Sequence, residues 1–215
     1  MKILIGTPIH ISKDYCMERW LENVAKLRQQ TPADLLLVDN SPGLDYMEKV
    51  KKYCEKYGIT NYRIEHLEIP QGKGISKEEI DEEIHERVAK SREIIRQKIL
   101  SSNYDVLFSW ACDQIISKNA LDKLINVMNS GDLWVVIHNS WAENDIDFNF
   151  DFGIALIKRN ILEKYGFLPR FGTDPDVPNN WYCAERWYEE RLKKDGCKYA
   201  EICGLINPIY HLHNR

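Results

Sequence analysis

Tyr104-Asp105-Val106-Leu107-Phe108-Ser109-Trp110-Ala111-Cys112-Asp113 is an apolar run that stops at a carboxylate. Such a run reads as a buried strand, and an acid directly behind it stands where open α/β sheets bind ligands, beyond the carboxyl ends of their strands. Similar runs occur on both sides: Lys2 to Gly6, Leu35-Leu36-Leu37-Val38, Tyr62 to Ile69, Leu133 to His138 and Phe152 to Lys158. Helix-period segments lie between them. Met17, Trp20, Leu21, Val24 and Leu27 follow i, i+3, i+4, i+7 spacing behind Asp14, and a second helix from about Asp45 to Tyr57 is closed by Gly58. Ser76 and Glu79 make a capping box for a long helix. Its stripe of Ile80, Ile84, Val88, Ser91, Ile95 and Ile99 is expected to face the core, with Arg92 on the stripe's edge. Ser117 is expected to cap a helix carrying Leu121, Leu124, Ile125 and Met128, and a late helix spans about Trp181 to Lys194, with strands from Lys198 onward. The alternation predicts an α/β fold: one domain with a mixed, mostly parallel sheet flanked by helices. A Rossmann-like half over residues 1–117 would be followed by a second half over 118–215.

Lys and Arg total 29 against 33 Asp and Glu, so the formal net charge of −4 offers no field for nucleic-acid phosphates. Any phosphate site is therefore local. The six cysteines form no C-x-x-C pair, which favours reduced thiols and a cytoplasmic setting, and no apolar run approaches the length of a membrane span. Neither G-x-G-x-x-G nor G-x-x-x-x-G-K-[ST] occurs, which argues against dinucleotide-binding and P-loop chemistry.

Three strand ends remain as candidate chemistry: Gly6-Thr7-Pro8, Val38-Asp39-Asn40-Ser41 and Trp110-Ala111-Cys112-Asp113. Asp39 could equally be a turn residue bonding its own backbone, and Arg92 could snorkel to solvent. Lys73, between Gly72 and Gly74, is either a ligand contact or a solvated loop charge. In Tyr210-His211-Leu212-His213 an extended chain puts both imidazoles on one face, where they could share an ion. Phe148, Phe150, Trp141, Trp181 and Trp187 read first as core, with one or two as acceptor-stacking rings.

The order of Thr7-Pro8, Leu37-Val38-Asp39-Asn40-Ser41, Ala89-Lys90-Ser91-Arg92 and Phe108 through Ile116 resembles family 2-like glycosyltransferases of the GT-A fold. Asp151-Phe152-Gly153-Ile154-Ala155 followed by Tyr165-Gly166-Phe167 is similar to the family's acceptor-side segment. Ala184-Glu185-Arg186, with Arg191-Leu192 beyond it, resembles the helix that carries the catalytic base. The resemblance implies transfer of a sugar from a UDP- or GDP-sugar to a sugar, lipid-linked or protein hydroxyl acceptor, with inversion. Glu185 would be the base. Thr7, Pro8, Asp39, Asn40, Ser41, Lys73, Arg92, Cys112 and Asp113 would hold the nucleotide sugar.

Metal assistance by Mn²⁺ or Mg²⁺ is implied as well, through Asp113 with His211 or His213. The family's Asp-x-Asp is here Ala111-Cys112-Asp113, so its first acid is missing. Literal Asp-x-Asp triplets at Asp145-Ile146-Asp147 and Asp174-Pro175-Asp176 lie in polar loops. The resemblance implies neither a nucleic-acid partner nor a transmembrane segment, and a homodimer is compatible with it. Two other readings stand beside it: a non-catalytic nucleotide or sugar binder with a degenerate site, favoured by Ala111, and a zinc site on Cys203, His211 and His213, whose cysteines lack structural-zinc spacing.

Overall fold

A computed structural model describes residues 1–69, 72, 74, 76–139, 150–170 and 184–213. The strands are β1 (Ile3–Ile9), β2 (Asp34–Asp39), β3 (Tyr62–His66), β4 (Val106–Trp110), β5 (Gln114–Ile115), β6 (Val135–His138), β7 (Ile154–Lys158), β8 (Tyr199–Ile202) and β9 (Tyr210–His211). The helices are α1 (Asp14–Gln30), α2 (Asp45–Lys56), α3 (Lys77–Leu100), α4 (Ala120–Ser130), α5 (Arg159–Lys164) and α6 (Ala184–Lys194). Seven strands make one sheet in the order β3-β2-β1-β4-β7-β6-β8, and β5 pairs with β9 in a separate ribbon. Only β7 runs against its neighbours in the large sheet, pairing antiparallel with both β4 and β6. The expected mixed, mostly parallel sheet is what forms.

Alternation along each strand sorts the core onto two faces. Ile3, Ile5, Leu35, Leu37, Val106, Phe108, Ile154 and Leu156 point to one layer, where α1, α2 and α4 supply Trp20, Leu21, Val24, Val50, Leu121 and Leu124. Leu4, Leu36, Val38, Leu107, Ala155 and Ile157 point to the other, where α3, α5 and α6 supply Ile95, Ile99, Leu162, Trp187 and Tyr188. Each fully buried large apolar side chain contributes about 1.5–3 kcal/mol, so strands buried on both faces read as continuous apolar runs. Trp20 and Trp110 pack as tilted rings with centroids 5.0 Å apart, anchoring α1 to the strand that ends in the site.

Several boundaries differ from expectation. β1 runs on past Gly6 to Ile9, because β2 pairs along its whole length while β4 stops at Gly6. That leaves one edge open at Pro8, where the missing N–H costs no ladder bond to β4. β3 ends at His66 rather than Ile69. Asp14 begins α1 instead of preceding it, behind a 3-10 turn over Ile11–Lys13. The capping box forms as expected, with Ser76 Oγ accepting from Glu79 N at 3.2 Å and Glu79 Oε2 accepting from Ser76 N at 3.1 Å. Gly58 closes α2 at φ +62°.

Two helix expectations fail. Ser117 does not cap α4; its hydroxyl bonds the Asn119 side chain, and its carbonyl accepts from Ala120 N. The α3 stripe faces the core only in its second half: Ile95 and Ile99 are buried, whereas Ile80 and Ile84 are 44% and 41% exposed. The 24-residue helix outruns the sheet it packs on, and its first turns overhang the strand ends. Among the described residues no helix is long and apolar enough to cross a membrane.

Candidate functional site

The carboxyl ends of β1, β2 and β4, with the start of β7, surround a cavity of about 470 Å³. Its floor includes Pro8, Ile9, Trp110, Ala111 and Cys112; Phe152 closes one side, and Ile84, Arg87, Val88 and Arg92 reach over it from α3. The overhanging half of α3 thus serves the cavity rather than the core. A second hollow, against Arg28, Pro32, Tyr57 and Asn61, lies at the opposite, amino-terminal ends of β2 and β3. Ligands in such sheets bind at the carboxyl ends.

Asp113 leaves β4 into the cavity with its side chain 19% exposed, and Lys13 Nζ lies 2.6 Å from its Oδ2. Lys13 comes from the 3-10 turn behind β1, one hundred residues earlier in the chain. Burial disfavours its charge, yet the hydrogen bond and attraction of Asp113 outweigh this and raise the lysine pKa. The ammonium is therefore permanent at neutral pH. Lys13 N donates to His10 O at 2.8 Å, Lys13 O accepts from Cys16 Sγ at 2.9 Å, and the Tyr15 ring centroid stands 6.0 Å from Nζ. No sequence motif marks Lys13. It is one of the cavity residues that reading along the chain missed, with His10, Ser12 and Arg87.

The cysteine at the floor is not poised to react. Cys112 shares a thiol hydrogen bond with Cys16, and that bond, with burial, pushes its pKa up. Thr7, Ser41 and Asp39 are buried behind the cavity and hold its walls. Thr7 Oγ1 donates to Trp110 O at 2.8 Å, tying β1 to the end of β4. Ser41 Oγ accepts from Ile11 N at 2.8 Å. Asp39 Oδ1 accepts from Ser41 N at 3.0 Å, an Asx turn, and its Oδ2 lies 3.5 Å from His66 Nδ1. Pro8 and Asn40 do line the cavity, and Asn40 Nδ2 donates to Ser91 Oγ at 3.0 Å. Lys73 and both literal Asp-x-Asp triplets lie outside the described residues, as do Trp141, Phe148 and Trp181, while Phe150 and Trp187 are core.

Arg92 does not snorkel to solvent. Its guanidinium lies 5.0 Å from the Phe152 ring centroid and donates from Nη1 to Glu185 Oε1 at 2.7 Å. Phe152 is fixed by edge contacts with Phe150, Phe167 and Tyr188, at centroid distances of 5.2, 5.2 and 4.9 Å. Glu185, in the first turn of α6, lines a narrow recess that shares Arg92 and Phe152 with the main cavity. Helices α3 and α6 are thus joined by one ion pair beside one aromatic ring.

The carboxyl-terminal histidines come to the same end of the sheet. β9 pairs antiparallel with β5, placing His211 opposite Gln114, and Leu212 N donates to Asp113 O at 2.8 Å. The His211 and His213 rings stack with centroids 6.1 Å apart, on one face as their spacing predicts. Burial lowers the His211 pKa despite the nearby Asp113. Asp113, His211 and His213 are brought near one another but not into a ligand set: among the described residues no three His, Cys, Asp or Glu side chains are placed to share an ion. Cys203 is exposed and belongs to no such group.

No protein-family model matches the chain, and no curated protein does. Solved structures do. A mannosyltransferase from Pyrobaculum calidifontis, PcManGT, in complex with GDP-Man and Mn²⁺ is 11% identical at a TM-score of 0.62, over 95% of this chain and 55% of that one. S. aureus TarS 1-349 is 15% identical at 0.62, over 99% and 60%; the same fragment in complex with UDP-GlcNAc matches at 0.57 and 14%, over 94% and 59%. A putative nucleotide-diphospho-sugar transferase from Desulfovibrio desulfuricans is 13% identical at 0.52, over 94% and 80%. The chain therefore spans a little over half the length of PcManGT and of the TarS 1-349 fragment, and 37% of the longer TarS chain. The architecture it shares with all of them is the GT-A-type glycosyltransferase fold.

Proposed function

We propose that the protein is a nucleotide-sugar glycosyltransferase that binds a UDP- or GDP-sugar in the cavity beside Asp113 and passes the sugar to a hydroxyl acceptor. One observation carries the reading: the cavity sits at the carboxyl ends of a GT-A-type sheet, lined by apolar surface for a base and sugar and by Lys13, Arg87 and Arg92 for phosphates. Pro8, Asn40, Cys112 and Asp113 would touch the donor, with Thr7, Asp39 and Ser41 holding the walls behind them.

Glu185 would serve as general base from the adjoining recess. Its carboxylate takes the proton of the acceptor hydroxyl while that oxygen attacks the anomeric carbon, and the nucleoside diphosphate leaves with the bonding pair. Attack from the face opposite the leaving group inverts the anomeric centre. Arg92 holds Oε1 in place for this step. The acceptor would be a sugar, lipid-linked or protein hydroxyl, and the setting cytoplasmic. Among the described residues the side chains do not fit a resident divalent ion: Asp113 is engaged by Lys13, Ala111 offers no carboxylate, and the histidines complete no ligand set.

A screen of UDP-, GDP-, CMP- and dTDP-sugars tests the reading, scored by melting temperature and by release of nucleoside diphosphate. A donor at about a hundredfold over its Kd stabilises by about 2.7 kcal/mol, or about 5–10 °C for a chain of this size. No shift with any donor would sink it. Ala111 favours a second reading, a binder that has lost turnover. Binding without release of nucleoside diphosphate, in the presence of candidate acceptors, would select it.

A further inference from the structure

We propose that the Lys13 ammonium is the cation that meets the donor's diphosphate, making nucleotide binding independent of a divalent ion. The inference rests on the nucleotide-sugar reading of the cavity and deepens it. Lys13 and Asp113 both line the cavity, and the 2.6 Å contact between them uses one of the ammonium's three donors. The side chain of Lys13 is 42% exposed against 19% for that of Asp113, so the lysine is the more accessible member of the pair. Its position is fixed from behind by the backbone bonds to His10 and Cys16.

An ion approaching Asp113 would have to displace that ammonium or stand beside a like charge a few ångströms away. Either route is costly, because an ion pair with side chains only 42% and 19% exposed is less screened by water than a surface pair. Arg87 lines the same cavity from α3 and brings a second cationic side chain to it. A diphosphate bridging Lys13 and Arg87 would find its charge met by fixed side chains from β1's end and from α3.

Calorimetric titration of UDP and of GDP into the full chain, in EDTA and in Mn²⁺, tests this. Wild type should bind the preferred nucleotide with the same affinity in both buffers, because no coupling means no change. In EDTA, Lys13→Gln should bind about tenfold or more weakly, the loss expected for one charge-assisted hydrogen bond, and Lys13→Arg should recover most of it. A Mn²⁺ requirement in wild type, or wild-type affinity in Lys13→Gln, would overturn the inference and leave the donor reading standing. The Mn²⁺ comparison needs no variant and decides the matter even if Lys13→Gln fails to fold. Binding of neither nucleotide in either buffer would overturn the donor reading and this inference with it.

Discussion

Glu185→Gln separates the chemistry proposed for the recess from its architecture. The amide keeps the carboxylate's shape and can still accept from Arg92, so the contact now at 2.7 Å loses its charge but not its geometry. The pair is partly buried, at 16% exposure for Arg92 and 28% for Glu185. Its loss falls between the near-zero worth of an exposed pair and the cost of breaking a buried one, about 1–2 kcal/mol. For a chain of this length that lowers the melting temperature by about 2–8 °C, leaving the variant folded at assay temperature. A missing general base costs about 10²- to 10⁴-fold in turnover, or about 3–5 kcal/mol of barrier. Turnover should therefore collapse while donor affinity, set in the main cavity, stays within about twofold of wild type, since the altered group acts on the acceptor's proton. Steady-state kinetics of nucleoside diphosphate release, paired with donor titration, reads both quantities. Wild-type turnover would place the base elsewhere, and equal losses in affinity and turnover would make Glu185 a donor-binding group.

Three further outcomes follow from the packing and the titrating groups. In Gly6→Ala the new Cβ would stand 2.4 Å from Ile95 Cγ2 and 2.8 Å from Leu107 Cδ1. That overpacking should cost about 1–3 kcal/mol in urea unfolding and, by shifting α3, weaken donor binding; an unchanged midpoint would show that the Ile95 tip simply rotates away. Asn23 donates to Ile116 O and accepts from Ile116 N, both at 2.9 Å, fixing the segment behind Asp113 to α1. Asn23→Ala strands both buried groups and should cost about 2–4 kcal/mol, read as the fall in denaturation free energy. Burial lowers the pKa of His138, as it does those of His85 and His211. Below the unfolded value near 6.5 the unfolded chain binds protons that the native one refuses, so stability should fall with pH, by up to about 1.4 kcal/mol per unit for each histidine. His138→Gln should make that slope shallower, and a flat profile from pH 7 to 5 would refute the account.

What the sequence made legible is what local physics decides. Continuous apolar runs marked the doubly buried strands, Ser76 and Glu79 marked the start of α3, and Gly58 marked the end of α2, because each signal lies within a few residues of its effect. The pattern could not show where a helix outruns its sheet. Ile80 and Ile84 have the same spacing as Ile95 and Ile99, and only the reach of β1 and β4 beneath α3 decides that one pair is core and the other overhangs the cavity. The strand-end residues singled out as a group do gather at one end of the sheet, yet β-alternation and turn geometry send Thr7, Asp39 and Ser41 into the wall and leave Pro8, Asn40, Cys112 and Asp113 on the cavity. The Arg92–Glu185 contact joins positions 93 residues apart and Lys13–Asp113 joins positions 100 apart. Both members of the first pair were flagged by resemblance; nothing local distinguishes Lys13 from any other lysine near a helix start.

Ala111 and Lys13 make sense together as one change in charge. Two carboxylates with a divalent ion sum to zero, and so do one carboxylate and one ammonium. An anchor with Asp113 alone is balanced by Lys13, whereas a second acid at position 111 would leave the lysine outnumbered and reopen room for an ion. Backbone geometry is indifferent to the exchange: Ala111 N donates to Gly153 O at 2.7 Å whatever side chain it carries. The two arrangements differ in timing. Under the proposed function, a mobile ion would have to be collected with each donor, its capture linked to nucleotide affinity, whereas a tethered ammonium would be in position before the donor arrives and would cost no reorganisation as charge develops on the leaving diphosphate. A single positive charge would attract that diphosphate less than a divalent ion would, and in the proposed site Arg87, which lines the same cavity from α3, would add its charge to that of Lys13.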